Sequence, residues 1–190
     1  LQTTTSTQTT TGSQQFVQGS NITAQGKLTI QSGADMASDS STLKGEQGVA
    51  LLSAGDLNIG GQHLKGQSTE SKPATAGQQE TTTAKETQTF AGSTISSGSG
   101  SVSAVALGDV SVSGSTLAAE QNINLIGDSV SVNAQVNTTT SKEVQGNPYG
   151  GRHWQITDKQ TQTLAGGQVD AGQDINVIAG MSADLGYQVG

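Results

Sequence analysis

Along most of the chain apolar residues stand two apart with a small or polar residue between them, as in Leu28/Ile30, Leu57/Ile59, Val110/Val112, Ile123/Leu125, Val130/Val132 and Ile175/Val177. Period-two alternation sends one face of a strand to a core and the other to water. Clusters such as Ser32-Gly33, Gly55-Asp56 and Gly127-Asp128 interrupt the runs every few residues. Such residues form tight corners, and glycine tolerates positive φ there. Helical 3.6 spacing is nowhere sustained, and Gly, Ser and Thr are indifferent helix formers. The pattern predicts an all-β protein of short strands.

The strands recur. Residues 41–51 read STLKGEQGVAL and residues 115–125 read STLAAEQNINL, an offset of 74; residues 87–95 (TQTFAGSTI) and 161–169 (TQTLAGGQV) repeat at the same offset. Inside that long period lies a shorter unit of roughly 20 to 22 residues, seen in 19–36, 41–59, 114–132 and 166–180. Three short strands separated by corners make one coil, and stacked coils let each strand bond its counterparts about 4.8 Å above and below. The expected fold is therefore a right-handed parallel β-helix, a solenoid in which each coil depends on its neighbours for stability.

Three stretches lack the apolar alternation and are rich in Thr, Ser, Gln and Lys: 1–15, 66–89 and 137–163. They recur once per long period and read as excursions from the solenoid, either loops or β-hairpins. The whole chain, 1–190, is expected to be a single β-helix segment, a fragment of a longer protein, with long units 16–89, 90–163 and an incomplete 164–190. Composition agrees with a thin core, since hydrophobic residues make up 31% and aromatic residues 3%, while Gly contributes 26 residues. A net charge of −7 without a run of Lys or Arg gives no footprint for nucleic acid or an anionic membrane. Cysteine is absent, which excludes disulfides and thiolate metal sites. No apolar stretch reaches the roughly 20 residues of a membrane-spanning helix.

The phrases GSNITAQGKLTI, AGDLNIGG and AGQDINVIAG, followed by tracts such as NTTTSKE, resemble the haemagglutinin repeats of filamentous-haemagglutinin-type exoproteins over nearly the whole chain. That resemblance implies a secreted or cell-surface bacterial protein, exported with the help of an outer-membrane transporter by two-partner secretion. It further implies attachment to a cell-surface receptor or glycan, or presentation of a C-terminal toxin in contact-dependent growth inhibition, with a periplasmic stage before deployment. The insert KEVQGNPYGGRHWQITDKQ is longer than a minimal tract of that family.

Catalytic chemistry was sought because β-helices also house polysaccharide lyases and hydrolases, whose sites need clustered carboxylates with Arg or Lys. Asp35, Asp56, Asp109, Asp128 and Asp174 each stand beside Ala, Gly or Gln at strand starts, the place of an Asp that bonds the backbone of its own turn. Arg152 is the one arginine, inside an excursion. His63 and His153 lie 90 residues apart, unlike a zinc motif. No G-x-S-x-G elbow or phosphate loop occurs. The expectation is a non-enzyme without metal or cofactor.

Asn58, Asn124 and Asn176 follow inward residues and point outward, where stacked amides form ladders or stay separately solvated. The sequons Asn21-Ile22-Thr23 and Asn137-Thr138-Thr139 are chance products of a Thr-rich chain. One aromatic cluster, Tyr149, Arg152, His153 and Trp154, is the candidate contact site. Aromatics and Arg anchor binding surfaces, and packing of the loop onto its own coil is the competing reading. The two functional classes weighed are a structural and adhesive stalk segment and, as the alternative, a carbohydrate-active or glycan-binding β-helix.

Overall fold

The computed structural model describes residues 8–74, 79–146 and 154–180, and among these every regular element is a β-strand. β1 (Thr9–Gln14) precedes a run of short strands: β2 (Asn21–Ala24), β3 (Lys27–Ser32), β4 (Met36–Asp39), β5 (Thr42–Gly45) and β6 (Gly48–Ser53). β7 (Leu57–Lys72) starts in the same rhythm and runs on for 16 residues, and β8 (Glu80–Gly92) returns. Short strands resume with β9 (Thr94–Ser97), β10 (Val102–Ala106), β11 (Val110–Ser113), β12 (Thr116–Ala119), β13 (Ile123–Ile126) and β14 (Val130–Asn133). A second long pair, β15 (Gln135–Gly146) and β16 (Trp154–Ala165), leads to β17 (Gln168–Ala171) and β18 (Ile175–Ile178).

Contacts divide the chain into two compact units. The first takes 17–62, 90–135 and 164–190, and the second takes 1–16, 63–89 and 136–163. β7 and β15 begin in the first unit, at Leu57 and Gln135, and β8 and β16 end in it. The composition shift read as starting at residues 66 and 137 therefore trails the start of the strand.

In the first unit every pairing among the described residues is parallel and falls into three sheets. The first runs β2-β5-β9-β12-β17, the second β3-β6-β10-β13-β18, and the third joins β4, the first residues of β7, β11 and β14. Leu28 lies beside Val49, Val49 beside Val102, Val102 beside Ile123 and Ile123 beside Ile175. Steps of 21 residues alternate with steps of 52 or 53, the excess being one pair of long strands. One short and one long step make the 74-residue period.

Residues of like kind stack because each parallel step carries a side chain directly over its counterpart. The core holds Leu51, Leu57, Ile59, Ile95, Val110, Val112, Leu117, Ile123 and Leu125, all essentially inaccessible. Burial is deepest in the middle strands. Ile22 and Ile175, at opposite ends of the sheets, are exposed because among the described residues each has a strand on one side only.

Beside the corner between the first and second sheets stands a column of small residues: Ala24, Gly45, Ser97, Ala119 and Ala171. The chain turns there within two to four residues, and within two after Ala24 and Gly45. A Cβ on Gly45 would lie 2.1 Å from the carbonyl oxygen of Gly48. Backbone bonding also continues round this corner, with Glu46 N–H donating to Ala24 O and Ser99 N–H to Glu46 O.

Candidate functional site

The corner between the second and third sheets explains the Gly-Asp pairs. Asp35 Oδ1 accepts from the backbone N–H of Asp56 at 3.0 Å, and Asp56 Oδ1 accepts from that of Asp109 at 2.9 Å. Asp109 Oδ1 then takes both the N–H (3.1 Å) and the hydroxyl (2.8 Å) of Ser129. These bonds join neighbouring parallel strands, not a turn to itself as the sequence suggested, because parallel pairing brings the next backbone within reach of a short side chain. Room for the Asp35 and Asp56 carboxylates comes from glycine: a Cβ on Gly55 would fall 2.0 Å from Asp35 Oδ1, and one on Gly108 2.1 Å from Asp56 Oδ1. Asp174 belongs to another corner, where its N–H donates to Asn122 Oδ1 at 3.0 Å. Asp128 uses its backbone, donating from N–H to Gly108 O.

Amides form a short ladder on the second sheet. Asn176 Nδ2 donates to Asn124 Oδ1 at 2.9 Å, and Asn124 Nδ2 to Ser103 Oγ at 3.3 Å. Asn58 stands on the third sheet, level with Ala37 and Ser111, and takes no place in that ladder.

At the corner between the third and first sheets, serines replace apolar residues. Ser93 is 1% exposed, its Oγ lying 2.6 Å from Ser38 O and 2.8 Å from Gly60 O while accepting from Ser41 N–H at 3.1 Å. Ser115 Oγ accepts from Ser93 N–H at 3.0 Å. Burying hydroxyls is tolerable only when they are bonded, and no described buried side-chain oxygen or nitrogen lacks a partner. Sequence reasoning missed this cluster, although the recurrent Gly-Ser-Thr at 92–94 and 114–116 carries it.

The second unit is an antiparallel sheet in the order β1-β7-β8-β15-β16. Thr9 pairs with Ser71 and Gln14 with Gly66 between β1 and β7, and Thr82 pairs with Val144 between β8 and β15. Adding 73 to both members of the first pair gives the third, so one pairing is used twice. Its chemistry is hydroxyl and amide. One face carries Lys65, Gln67, Glu86, Gln88, Thr138 and Thr140 around a shallow hollow of about 240 Å³. Gln67 Nε2 donates to Glu86 Oε1 there at 3.3 Å.

Of the aromatic cluster, Tyr149, Arg152 and His153 lie outside the described residues. Trp154 opens β16, its indole against Gly146 at the end of β15: a Cβ on that glycine would fall 2.1 Å from Cε3. The indole is nevertheless 52% exposed. His63 lies in β7, and His153 is outside the described residues. No grouping of three His, Asp or Glu suited to a metal occurs among the described residues, and no helix is long and apolar enough to cross a membrane. The chain matches no family model, no curated protein and no solved structure.

Proposed function

We propose that the three parallel sheets are the faces of a right-handed parallel β-helix, and that the chain is a stalk segment of a secreted bacterial haemagglutinin-like exoprotein. One observation carries this reading: the same residue positions pair through all three sheets at alternating short and long steps. Length then grows by about 4.8 Å with each coil, whatever the exposed side chains are. The work of such a segment is spacing. It holds an adhesive surface or a C-terminal toxin at a distance from the cell that makes it, and the Thr-rich strands supply the exposed surface. Export would use an outer-membrane transporter, and the target would be a receptor or glycan on another cell.

Duplicating residues 90–163 within the chain tests the spacing role. Two extra coils should lengthen the maximum dimension in small-angle X-ray scattering by about 10 Å; an unchanged dimension with a wider cross-section would sink the stalk. A parent reading frame of ordinary enzyme length, with no neighbouring transporter gene, would remove the exoprotein context. The alternative, a glycan-binding β-helix, draws support from the hollow between Lys65, Glu86 and Thr140, whose amides, hydroxyls and opposite charges suit sugar hydroxyls. Retention on a glycan array, lost with Glu86→Ala, would favour it.

A further inference from the structure

Strand alternation turns one side of each parallel sheet away from the core, and on two of the three sheets that side is polar. The first carries Thr42, Thr94 and Thr116 there in one line, and the third carries Asn58, Ser111 and Ser131. The second sheet departs from this. Leu51, Ala104 and Leu125 are fully buried, so Leu52, Val105 and Ile126, which follow them, face away from the core. These three stand directly beside one another in the register of β6, β10 and β13. Each has a described strand on both sides and is still half-exposed. Leu107, two residues beyond Val105, is 50% exposed. Carboxylates border this aliphatic line. Asp56 and Asp109 follow Leu52 and Val105 by four residues, and Asp128 follows Ile126 by two. All three are exposed, and none is ion-paired with a described residue. The only basic residues of this unit are Lys27 and Lys44, and Lys44 is paired with Glu46.

We infer that the line Leu52-Val105-Ile126, with its acidic border, is a docking surface for a basic amphipathic helix of another protein. An exposed apolar patch rimmed by charge marks an interaction site, and the sign of the rim selects the partner. A second copy of this chain would set carboxylates against carboxylates, and juxtaposed like charges are costly. Spacing selects the helix. Neighbouring strands lie about 4.8 Å apart, and a helix presents one face again about every 5.4 Å. An extended segment does so only about every 6.7 Å. Across the two steps from Leu52 to Ile126 a helix drifts by about 1 Å and an extended segment by about 4 Å. Apolar side chains on successive turns can therefore meet Leu52, Val105 and Ile126, while Lys or Arg on the flank faces Asp56, Asp109 and Asp128.

The test uses the full chain and a fluorescein-labelled synthetic peptide of about 14 residues, built from Leu and Lys with all Leu on one helical face. A control peptide has the same residues in strand alternation. By fluorescence anisotropy the helical peptide should bind with a Kd of about 10 μM, and the control about tenfold more weakly. Val105→Lys puts a charge in the middle of the line and should weaken binding about tenfold or more. Ser111→Lys adds the same charge on the third sheet and should weaken it about threefold or less. Should Val105→Lys disturb the circular dichroism spectrum, Val105→Asn takes its place with the same expected direction. Asp56→Asn combined with Asp109→Asn keeps an acceptor oxygen at both corners, removes two charges, and should weaken binding about fivefold with a shallower salt dependence. Absence of binding up to about 1 mM overturns the proposal. So does equal affinity for the two peptides, or an equal loss in Val105→Lys and Ser111→Lys, since either reduces the effect to general attraction between a cation and an acidic chain.

Discussion

The carboxylate of Asp56 accepts a hydrogen bond from the backbone N–H of Asp109 at 2.9 Å, across 53 residues of sequence. The same carboxylate oxygen occupies the space that a side chain on Gly108 would need. A Gly-Asp pair thus works between neighbouring strands of the parallel sheets: the glycine admits the carboxylate that precedes the neighbouring strand on one side, and the aspartate supplies its own to the other side.

That coupling predicts a non-additive mutant pair. Asp56→Ala removes an acceptor at an exposed corner where water can replace it, so the cost should be about 0.5–1.5 kcal/mol. Gly108→Ala forces the carboxylate out and should cost more, about 1–3 kcal/mol, as an overpacking change does. In the Asp56→Ala background the glycine change should cost less, since its nearest obstacle is gone. Urea midpoints of the four proteins measure the cycle; strictly additive values would refute the coupling.

The small-residue column makes a second case. Gly45→Ala looks harmless from the sequence, because Ala24, Ala119 and Ala171 occupy the equivalent position. At residue 45 the obstacle is backbone, the Gly48 carbonyl, which cannot swing aside. A loss of about 1–3 kcal/mol is expected, whereas Ala119→Gly should cost about 1 kcal/mol or less from backbone freedom. Thermal unfolding of the two variants decides the order.

These cases mark what was legible. Alternation exposed the strands, and the 74-residue offset exposed the long unit, because stacking demands like residues at like positions. Asp56 could be seen to be special, but its partner could not: a bond between residues 53 apart needs the length of the intervening strands, which composition does not state. The excursions were harder. Thr-rich strands such as β8 and β15 have no buried face to impose alternation, so hairpin and loop read alike. Of the candidate contact residues, Trp154 alone falls among the described ones, and its contact with Gly146 spans a segment that no periodicity links.

Ser93 should be the most sensitive of the serines. Its hydroxyl is buried, accepts from Ser41 N–H, and has one proton for the carbonyls of Ser38 and Gly60. Gly60 O keeps Ser40 N–H and Ser115 Oγ, but Ser93→Ala removes the hydroxyl acceptor of Ser41 N–H and the hydroxyl donor beside Ser38 O, and should cost about 1–3 kcal/mol. Ser99→Ala, which removes an exposed bond to Glu46 O, should cost about 1 kcal/mol or less. Equal denaturation midpoints for the two variants would contradict the buried cluster's role.

Trp154 is the only tryptophan of the chain, so its surroundings can be followed by its own fluorescence. In the sheet its ring lies against the bare backbone of Gly146, shielded on that side and open on the other. Any Cβ at residue 146 would meet the indole, and a branched one leaves no alternative but rotation of the ring into water. Gly146→Val should therefore shift the emission maximum to longer wavelength and increase quenching by iodide. The apolar core should be untouched, because Leu51 and its neighbours belong to the other compact unit. Valine also favours strand geometry more than glycine does, so the circular dichroism of the sheet should persist. An unchanged spectrum and unchanged quenching would mean that the indole does not rest on Gly146 in solution.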